Sequence, residues 1–208
     1  MGTQAKFDTQ ELKTWSQYIN DGAAHAVSRL AKMLEREVRL SCLNLKAMSP
    51  AYAANMLGGP ETPVVAIYLT IRGEARGHIL LAYPPHIAYG LVDMVLGRPP
   101  DTTKELGELE ASVLEEIGNI VGSAFLNSVG DETGTRLQPT PPVLMVDMAG
   151  AVLSIALSDL LQEHDEIYAM EAVFDTSDKQ ISGVLLIMPS AGFIDVVKER
   201  AAQHQNTP

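Results

Sequence analysis

The sequence predicts a mixed helix and strand protein, α+β or α/β, with a largely antiparallel sheet built from two similar halves. Three observations lead to this prediction. Apolar runs typical of strands alternate with helical stretches. Two pairs of these runs follow each other closely, as the strands of a hairpin do. The order of elements in the first half then recurs in the second half.

The first half begins with a helical stretch from about Thr9 to Glu37. The strand-like run VRLSCLNLKAM follows, and then a short helical piece, SPAYAANMLGG, ended by Gly-Gly-Pro. Two apolar strands, VVAIYLTIR and GHILLAYP, are joined by a turn around Gly73. The helix PHIAYGLVDMVLG closes this half, because Gly97 and Pro99 terminate it.

The second half repeats this order. A helix is expected from about Glu105 to Val129, followed by an extended stretch at TPPVLMV. A short helix is predicted in MAGAVLSIALSDLL, although its middle also fits a strand. The strands EIYAMEAVFD and ISGVLLIMP and a closing helix, SAGFIDVVKERAAQ, come last. We therefore predict one domain over residues 1–208, with repeats over about 9–100 and 104–203.

Composition excludes several classes of protein. Hydrophobic residues make up 46% of the 208 residues, which is enough for a proper core. The formal charge is -11 and the Lys and Arg residues are not clustered in the sequence, which argues against nucleic-acid binding. The first 20 residues are polar, and no apolar run is long enough to cross a bilayer. We expect a cytoplasmic protein that does not insert into membranes.

Common catalytic and metal-binding motifs are missing from the sequence. There is no Gly-x-Ser-x-Gly elbow and no phosphate-binding Gly-Lys-Ser/Thr loop. Cys42 is the single cysteine, which excludes an internal disulfide, and we interpret it as a small buried residue. The five histidines are far apart, so no metal site is expected. They are His25, His78, His86, His164 and His204.

One helical stretch, ASVLEEIGNIVG, carries an unusual polar strip. Ser112, Glu116 and Asn119 are spaced three and four residues apart, so they share one side of the helix. An apolar stripe follows another side and should pack on the sheet or on the other long helix. Its members are Leu109, Val113, Ile117, Ile120, Ala124 and Phe125. By itself a Ser/Glu/Asn strip is most often a solvated face, but asparagine is an unfavourable residue inside a helix.

The strip forms part of a longer pattern. Pro142 lies 22 intervening residues beyond Asn119, in the proline-rich segment QPTPPV. The pattern Ser-x3-Glu-x2-Asn-x22-Pro resembles the signature of the CheC/CheX/FliY phosphatases of bacterial and archaeal chemotaxis. The segments GGPETPVVAIYLTIRGEARGHILLAYP and LEEIGNIVGSAFLNS also look like CheC, and the resemblance covers nearly the whole chain.

The resemblance implies a fold and an activity. The fold is α+β, with two pseudo-symmetric halves that share an antiparallel sheet and two long exposed helices. The activity is hydrolysis of the aspartyl phosphate on the response regulator CheY. Asn119 would hold the attacking water, Glu116 would pair with the regulator's active-site lysine, and Ser112 and Pro142 would support them. The regulator supplies its own Mg²⁺, so no cofactor of this protein is expected.

The first half departs from the family's doubled pattern. Asn20 precedes Asn119 by 99 positions and fits the pattern. Lys13 stands where the family has Asp or Ser, Gln17 stands where it has Glu, and Leu43 stands where it has the proline. Gln17 is uncharged and cannot form the ion pair proposed for Glu116. We therefore predict one competent site in the second half and a degenerate first site. Two alternatives remain: Gln17 and Asn20 support slow turnover, or this face binds something else.

The resemblance also implies partners. CheC proteins commonly bind CheD, a receptor deamidase, and the segment VDMAGAVLSIAL with Asp147 is our expected contact. The alternative is an ordinary amphipathic helix with Asp147 as its N-cap. The second functional hypothesis is a non-catalytic adaptor that binds CheD or a flagellar-switch or response-regulator partner. Because an internal repeat takes the place of a dimer, we expect a monomer.

Overall fold

A computed structural model describes residues 9–158, 167–176, 183–190, 192–193, 195–196 and 199. The described elements alternate along the chain much as the sequence predicts. The helices are α1 (Thr9–Leu34), α2 (Pro50–Met56), α3 (Pro85–Val95), α4 (Glu108–Thr133) and α5 (Ala149–Ala156). The strands are β1 (Val38–Met48), β2 (Pro63–Gly73), β3 (Gly77–Tyr83), β4 (Leu137–Pro139), β5 (Val143–Met148), β6 (Ile167–Thr176) and β7 (Gly183–Pro189).

The seven strands form one antiparallel sheet in the order β1-β6-β7-β3-β2-β4, and β5 also pairs with β2. The centre of this order is the β7–β3 pair. β7 pairs with β6 of its own half, and β3 pairs with β2 of its own half. The outer strands come from the opposite half: β1 pairs with β6, and β4 and β5 pair with β2. A doubled chain with a shared sheet produces this arrangement. The α+β class with an antiparallel sheet is confirmed, whereas the repeat boundaries stay a prediction.

Helices cover both faces of the sheet. Alternate side chains of β2 point to opposite faces, as the pleat requires: Val65 and Ile67 belong to one core, and Val64 and Ala66 belong to the other. The first core lies under α1, α3 and α4. The second lies under the shorter helices α2 and α5. The two long helices are therefore on the same face of the sheet.

The structure corrects some predicted boundaries. Helix α1 ends at Leu34 rather than Glu37, because Glu35 takes a φ of 50° and breaks the helix. Helix α4 begins at Glu108 and continues to Thr133, past the predicted end at Val129. The segment that fitted either a helix or a strand after residue 148 is the helix α5. Most of the predicted closing helix, together with His164 and His204, lies outside the described residues.

The β2–β3 hairpin turns near Gly73 as predicted. Gly73 has a φ of 122°, and a side chain there would collide with the backbone oxygen of Arg136. In the part of the chain that the structure describes, no helix combines the length and the apolar character that crossing a bilayer requires.

Candidate functional site

A hydrogen-bond network fixes the start of α4, the helix that carries the polar strip. The backbone N–H of Gly107 donates to Glu110 Oε2 at 3.1 Å, which closes the first turn. Arg98, just after α3, donates to Glu110 Oε1 at 2.8 Å and to Thr103 Oγ1 at 3.1 Å. The loop between the two halves is thereby tied to the first turn of α4.

Asp93 is the centre of this network. Its side chain is 2% exposed and accepts three hydrogen bonds, from the backbone N–H groups of Thr102 (2.9 Å) and Thr103 (3.0 Å) and from the Thr103 hydroxyl (2.6 Å). Burial opposes the charged form. The Thr103 and Thr102 hydrogen bonds and the nearby Arg98 charge outweigh that effect, so the pKa of Asp93 lies below its ordinary value.

We expect Asp93→Asn to destabilise the fold at neutral pH by about 1.5–3 kcal/mol, because a charged acceptor of hydrogen bonds is lost. The lowered pKa means that the carboxylate stabilises the protein fully above the unfolded pKa of about 3.9. That stabilisation is lost as the pH falls through the still lower folded pKa. Urea unfolding at neutral pH and below about pH 3.9 should therefore show the gap between variant and wild type narrowing in acid.

The matched control is Asp101→Asn, an exposed aspartate of the same loop whose φ of 61° asparagine tolerates. It should leave stability within about 0.5 kcal/mol at both pH values. If the difference in free energy of unfolding between wild type and Asp93→Asn were the same at both pH values, the charge of Asp93 would not contribute to stability.

The predicted polar strip lies on the exposed side of α4. Ser112, Glu116 and Asn119 are all exposed, four and three residues apart on one continuous helix. Within the described residues their side chains form no hydrogen bond or ion pair. The Glu116 carboxylate and the Asn119 carboxamide thus face solvent, without a partner among the described residues.

One member of the predicted apolar stripe is on the wrong side. Leu109 is 54% exposed, and the buried face of α4 runs instead through Val113, Leu114, Ile117 and Val121. Leu109 precedes Glu116 by seven residues, which is about two helical turns, so it lies on the side of the strip. The strip therefore has an exposed apolar residue at its N-terminal end.

Gly118 and Pro142 position the Asn119 turn of the helix. A Cβ on Gly118 would collide with Ile67 Cγ2 and would lie 3.6 Å from Pro142 Cβ. The missing side chain therefore allows α4 to lie directly on β2 and beside Pro142. Sequence reasoning identified Pro142 but missed Gly118. The signal was available, because a glycine inside a helix costs about 1 kcal/mol relative to alanine and needs a packing reason.

Thr140 holds the loop that carries Pro142. Its Oγ1 accepts from the backbone N–H of Thr70 at 2.9 Å, and its own N–H donates to the Thr70 oxygen, also at 2.9 Å. Because Thr70 belongs to β2, the 140–142 segment is anchored to the strand under α4. Pro142 is thereby held close to Gly118, the residue before Asn119.

The first-half counterpart lies on α1. Gln17 is exposed and Asn20 is half-buried on this helix. The side chains of Lys13, Cys42 and Leu43 lie outside the described residues. Gly22 is a close contact to the other long helix, since a Cβ there would lie 2.8 Å from Phe125 Cδ2.

Asp147 lies at the end of β5, on a different part of the surface. It is exposed, and its Oδ1 accepts from the backbone N–H of Met148 at 2.7 Å. The N-cap of α5 is Met148, so the interpretation of Asp147 as that N-cap is wrong. Three exposed apolar side chains belong to the same two elements: Val146 (60%) and Met148 (46%) of β5, and Ile155 (58%) of α5.

In the described part of the chain, no three His, Cys, Asp or Glu side chains come close enough to hold a metal ion. The strip lies on the outer side of a helix, where a small substrate would remain in water.

Comparison with known proteins gives a family match that includes the strip and Pro142. Residues 109–146 match the model of the CheC-like family. The chain is also 30% identical over 164 residues to the CheY-P phosphatase CheC of Bacillus subtilis strain 168, covering 77% of this chain and 78% of that protein.

Several solved structures share this fold. FliY of Thermotoga maritima has a TM-score of 0.73 at 13% identity, covering 95% of this chain and 98% of that one. FliM from a complex with SpeE of H. pylori has a TM-score of 0.68 at 12% identity, with 98% and 100% covered. A CheX–CheY–BeF3–Mg²⁺ complex of Borrelia burgdorferi gives a TM-score of 0.59 at 19% identity, with 83% and 97% covered. At these identities the structures establish the fold alone.

Proposed function

Because this chain belongs to the CheC-like family, we propose that it is a phosphatase that hydrolyses the aspartyl phosphate of a CheY-type receiver domain. The observation that carries the proposal is the exposed Glu116–Asn119 pair on α4, which has no partner among the described residues and whose neighbour Gly118 packs beside Pro142. The 30% identical relative is a CheY-P phosphatase. A protein of the same fold, CheX, has been crystallised with CheY, BeF3 and Mg²⁺.

The exposed strip suits a protein substrate. A phosphorylated receiver carries its reactive acyl phosphate in its own pocket, with its own Mg²⁺ and lysine. Hydrolysis then depends mostly on positioning and electrostatics rather than on a nucleophile of the phosphatase. The exposed side of α4 can reach into such a pocket. Residues at the bottom of a cleft could not reach a phosphoryl group that lies in the partner's own pocket.

Asn119 supplies the positioning of water. Its carboxamide has both a donor and an acceptor, so it can orient a water whose oxygen attacks the phosphorus in line. The new P–O bond forms as the bond to the aspartyl oxygen breaks, which leaves a carboxylate and inorganic phosphate. Glu116, one turn earlier, pairs with the receiver's lysine and fixes the distance between helix and phosphoryl group. Ser112 and Pro142 support this geometry.

The direct test is the decay of the phosphorylated CheY of the same organism, with and without the protein. Acceleration at a protein concentration below that of CheY is expected, since an enzyme turns over. Protection of the phosphorylated form, or binding without acceleration, would instead favour the adaptor hypothesis.

The adaptor remains the second candidate, because FliM, taken from a complex with SpeE, shares this fold. One further surface favours a partner role alongside catalysis. Val146 and Met148 of β5, on either side of Asp147 in sequence, and Ile155 of α5 expose apolar side chains. We propose that this patch binds CheD. Exposed apolar groups with a charge among them are typical of protein contact sites.

We expect Ile155→Asp to weaken binding of the organism's CheD by about tenfold or more, because a charge would enter an apolar contact. Titration of labelled CheD measures this. Leu109→Asp is the matched control, since Leu109 is 54% exposed but lies on α4. Equal weakening by both variants, or no binding by wild type, would rule out the patch as the CheD contact.

A further inference from the structure

The groove between α1 and α4 is lined by more positive than negative side chains, whereas the protein as a whole is acidic. Its volume is about 670 Å³. Helix α1 contributes His25, Ser28, Arg29 and Lys32 to its lining, and α4 contributes a mostly polar set. That set is Ile120, Ser123, Ala124, Asn127, Ser128 and Asp131. Two permanent cations thus face one anion, in a chain whose formal charge is -11.

The cations form a row. His25, Arg29 and Lys32 are spaced four and three residues apart, so they lie along one side of α1, and all three are exposed. Among the described residues, neither Arg29 nor Lys32 forms an ion pair. Their charge is therefore directed at whatever occupies the groove.

The groove adjoins the catalytic strip. Ser123 lies four residues after Asn119 and Asn127 four residues further, so the strip runs without interruption into the α4 wall. A domain whose phosphoryl group lies over Asn119 must place neighbouring surface over this groove. From Leu109 to Asn127 the shared helix is about 27 Å long, which is the width of a standard protein contact.

We propose that the groove binds the acidic surface beside the phosphorylation site of the same receiver domain, with Arg29 and Lys32 as the residues that attract it. This inference rests on the proposed function. A phosphoryl group brings a charge of about -2, which the net charge of this protein would otherwise repel. The first half of the chain then contributes recognition to a site whose chemistry is on the second half.

The test is a double charge reversal, Arg29→Glu with Lys32→Glu. The matched control is Arg72→Glu with Arg76→Glu, two exposed cations of the β2–β3 hairpin. Both double variants change the net charge by the same four units. Decay of phosphorylated CheY gives KM and kcat, and titration with CheY bound to BeF3 and Mg²⁺ gives Kd at low and high ionic strength.

The groove variant should raise KM and Kd about tenfold, lose most of the salt dependence, and change kcat much less. The hairpin control should change KM by less than about twofold. Equal changes in both variants would overturn the groove as a docking site, while wild-type turnover would still support the phosphatase. If wild type binds the BeF3 form of CheY without turnover, the phosphatase proposal fails. The Kd values of the two double variants would still show whether the groove binds the receiver domain. No wild-type binding would overturn the groove inference.

Discussion

Asn119→Ala is expected to abolish the acceleration of CheY dephosphorylation, with a loss of about a hundredfold or more in kcat. The physical reason is that the attacking water loses the group that orients it, since an alanine side chain offers neither a donor nor an acceptor. Asn119 is exposed and makes no hydrogen bond within the described structure, so its removal should not affect folding. Decay of phosphorylated CheY measures the loss, and titration with CheY–BeF3 should show binding retained.

Asn20→Ala is the matched control, because Asn20 is the corresponding residue of the first half. With one competent site, this variant should keep wild-type turnover, since Gln17 has no charge to pair with the receiver's lysine. A comparable loss in both variants would mean that the first site is active. Loss of CheY binding in Asn119→Ala would assign this residue to docking instead of water positioning.

Gly118→Ala is expected to lower both stability and activity, although alanine is the better helix former. The added Cβ would collide with Ile67 Cγ2 and would lie 3.4 Å from Ile67 Cβ. Ile67 is fully buried, so it has no space into which to move. Overpacking typically costs about 1–3 kcal/mol. If α4 shifts outward to relieve the collision, Asn119 moves away from Pro142 and turnover falls even in the folded protein.

Thermal unfolding separates these effects when Gly90→Ala is the control. Gly90 is also inside a helix, α3, but a Cβ there would meet nothing within 4 Å. This variant should gain about 0.5–1 kcal/mol from the better helix propensity, which raises Tm by about 1–4 °C. Gly118→Ala should instead lower Tm. A rise in Tm for both would show that α4 does not depend on the close approach to Ile67.

Much of the fold was predictable because its signals are local. The strand run at Val38–Met48 and the hairpin at Gly73 agree with the structure, since an apolar pattern and a glycine between two apolar runs can both be seen within one short stretch of sequence. Helix ends were less predictable. The prediction for Leu109 was wrong because a helical stripe calculated from sequence does not show where the first turn of α4 leaves the sheet.

The sequence alone determined the fold class, the strip of Ser112, Glu116 and Asn119, and the family that this strip indicates. These depend on residue type and on spacing within one helix, which 3.6 residues per turn converts directly into geometry. Only the tertiary structure showed why Gly118 is needed, how Thr140 anchors the loop of Pro142, and that Arg29 and Lys32 line a groove beside the strip. Each of these depends on the packing of elements that are distant in sequence, and no local pattern records such packing.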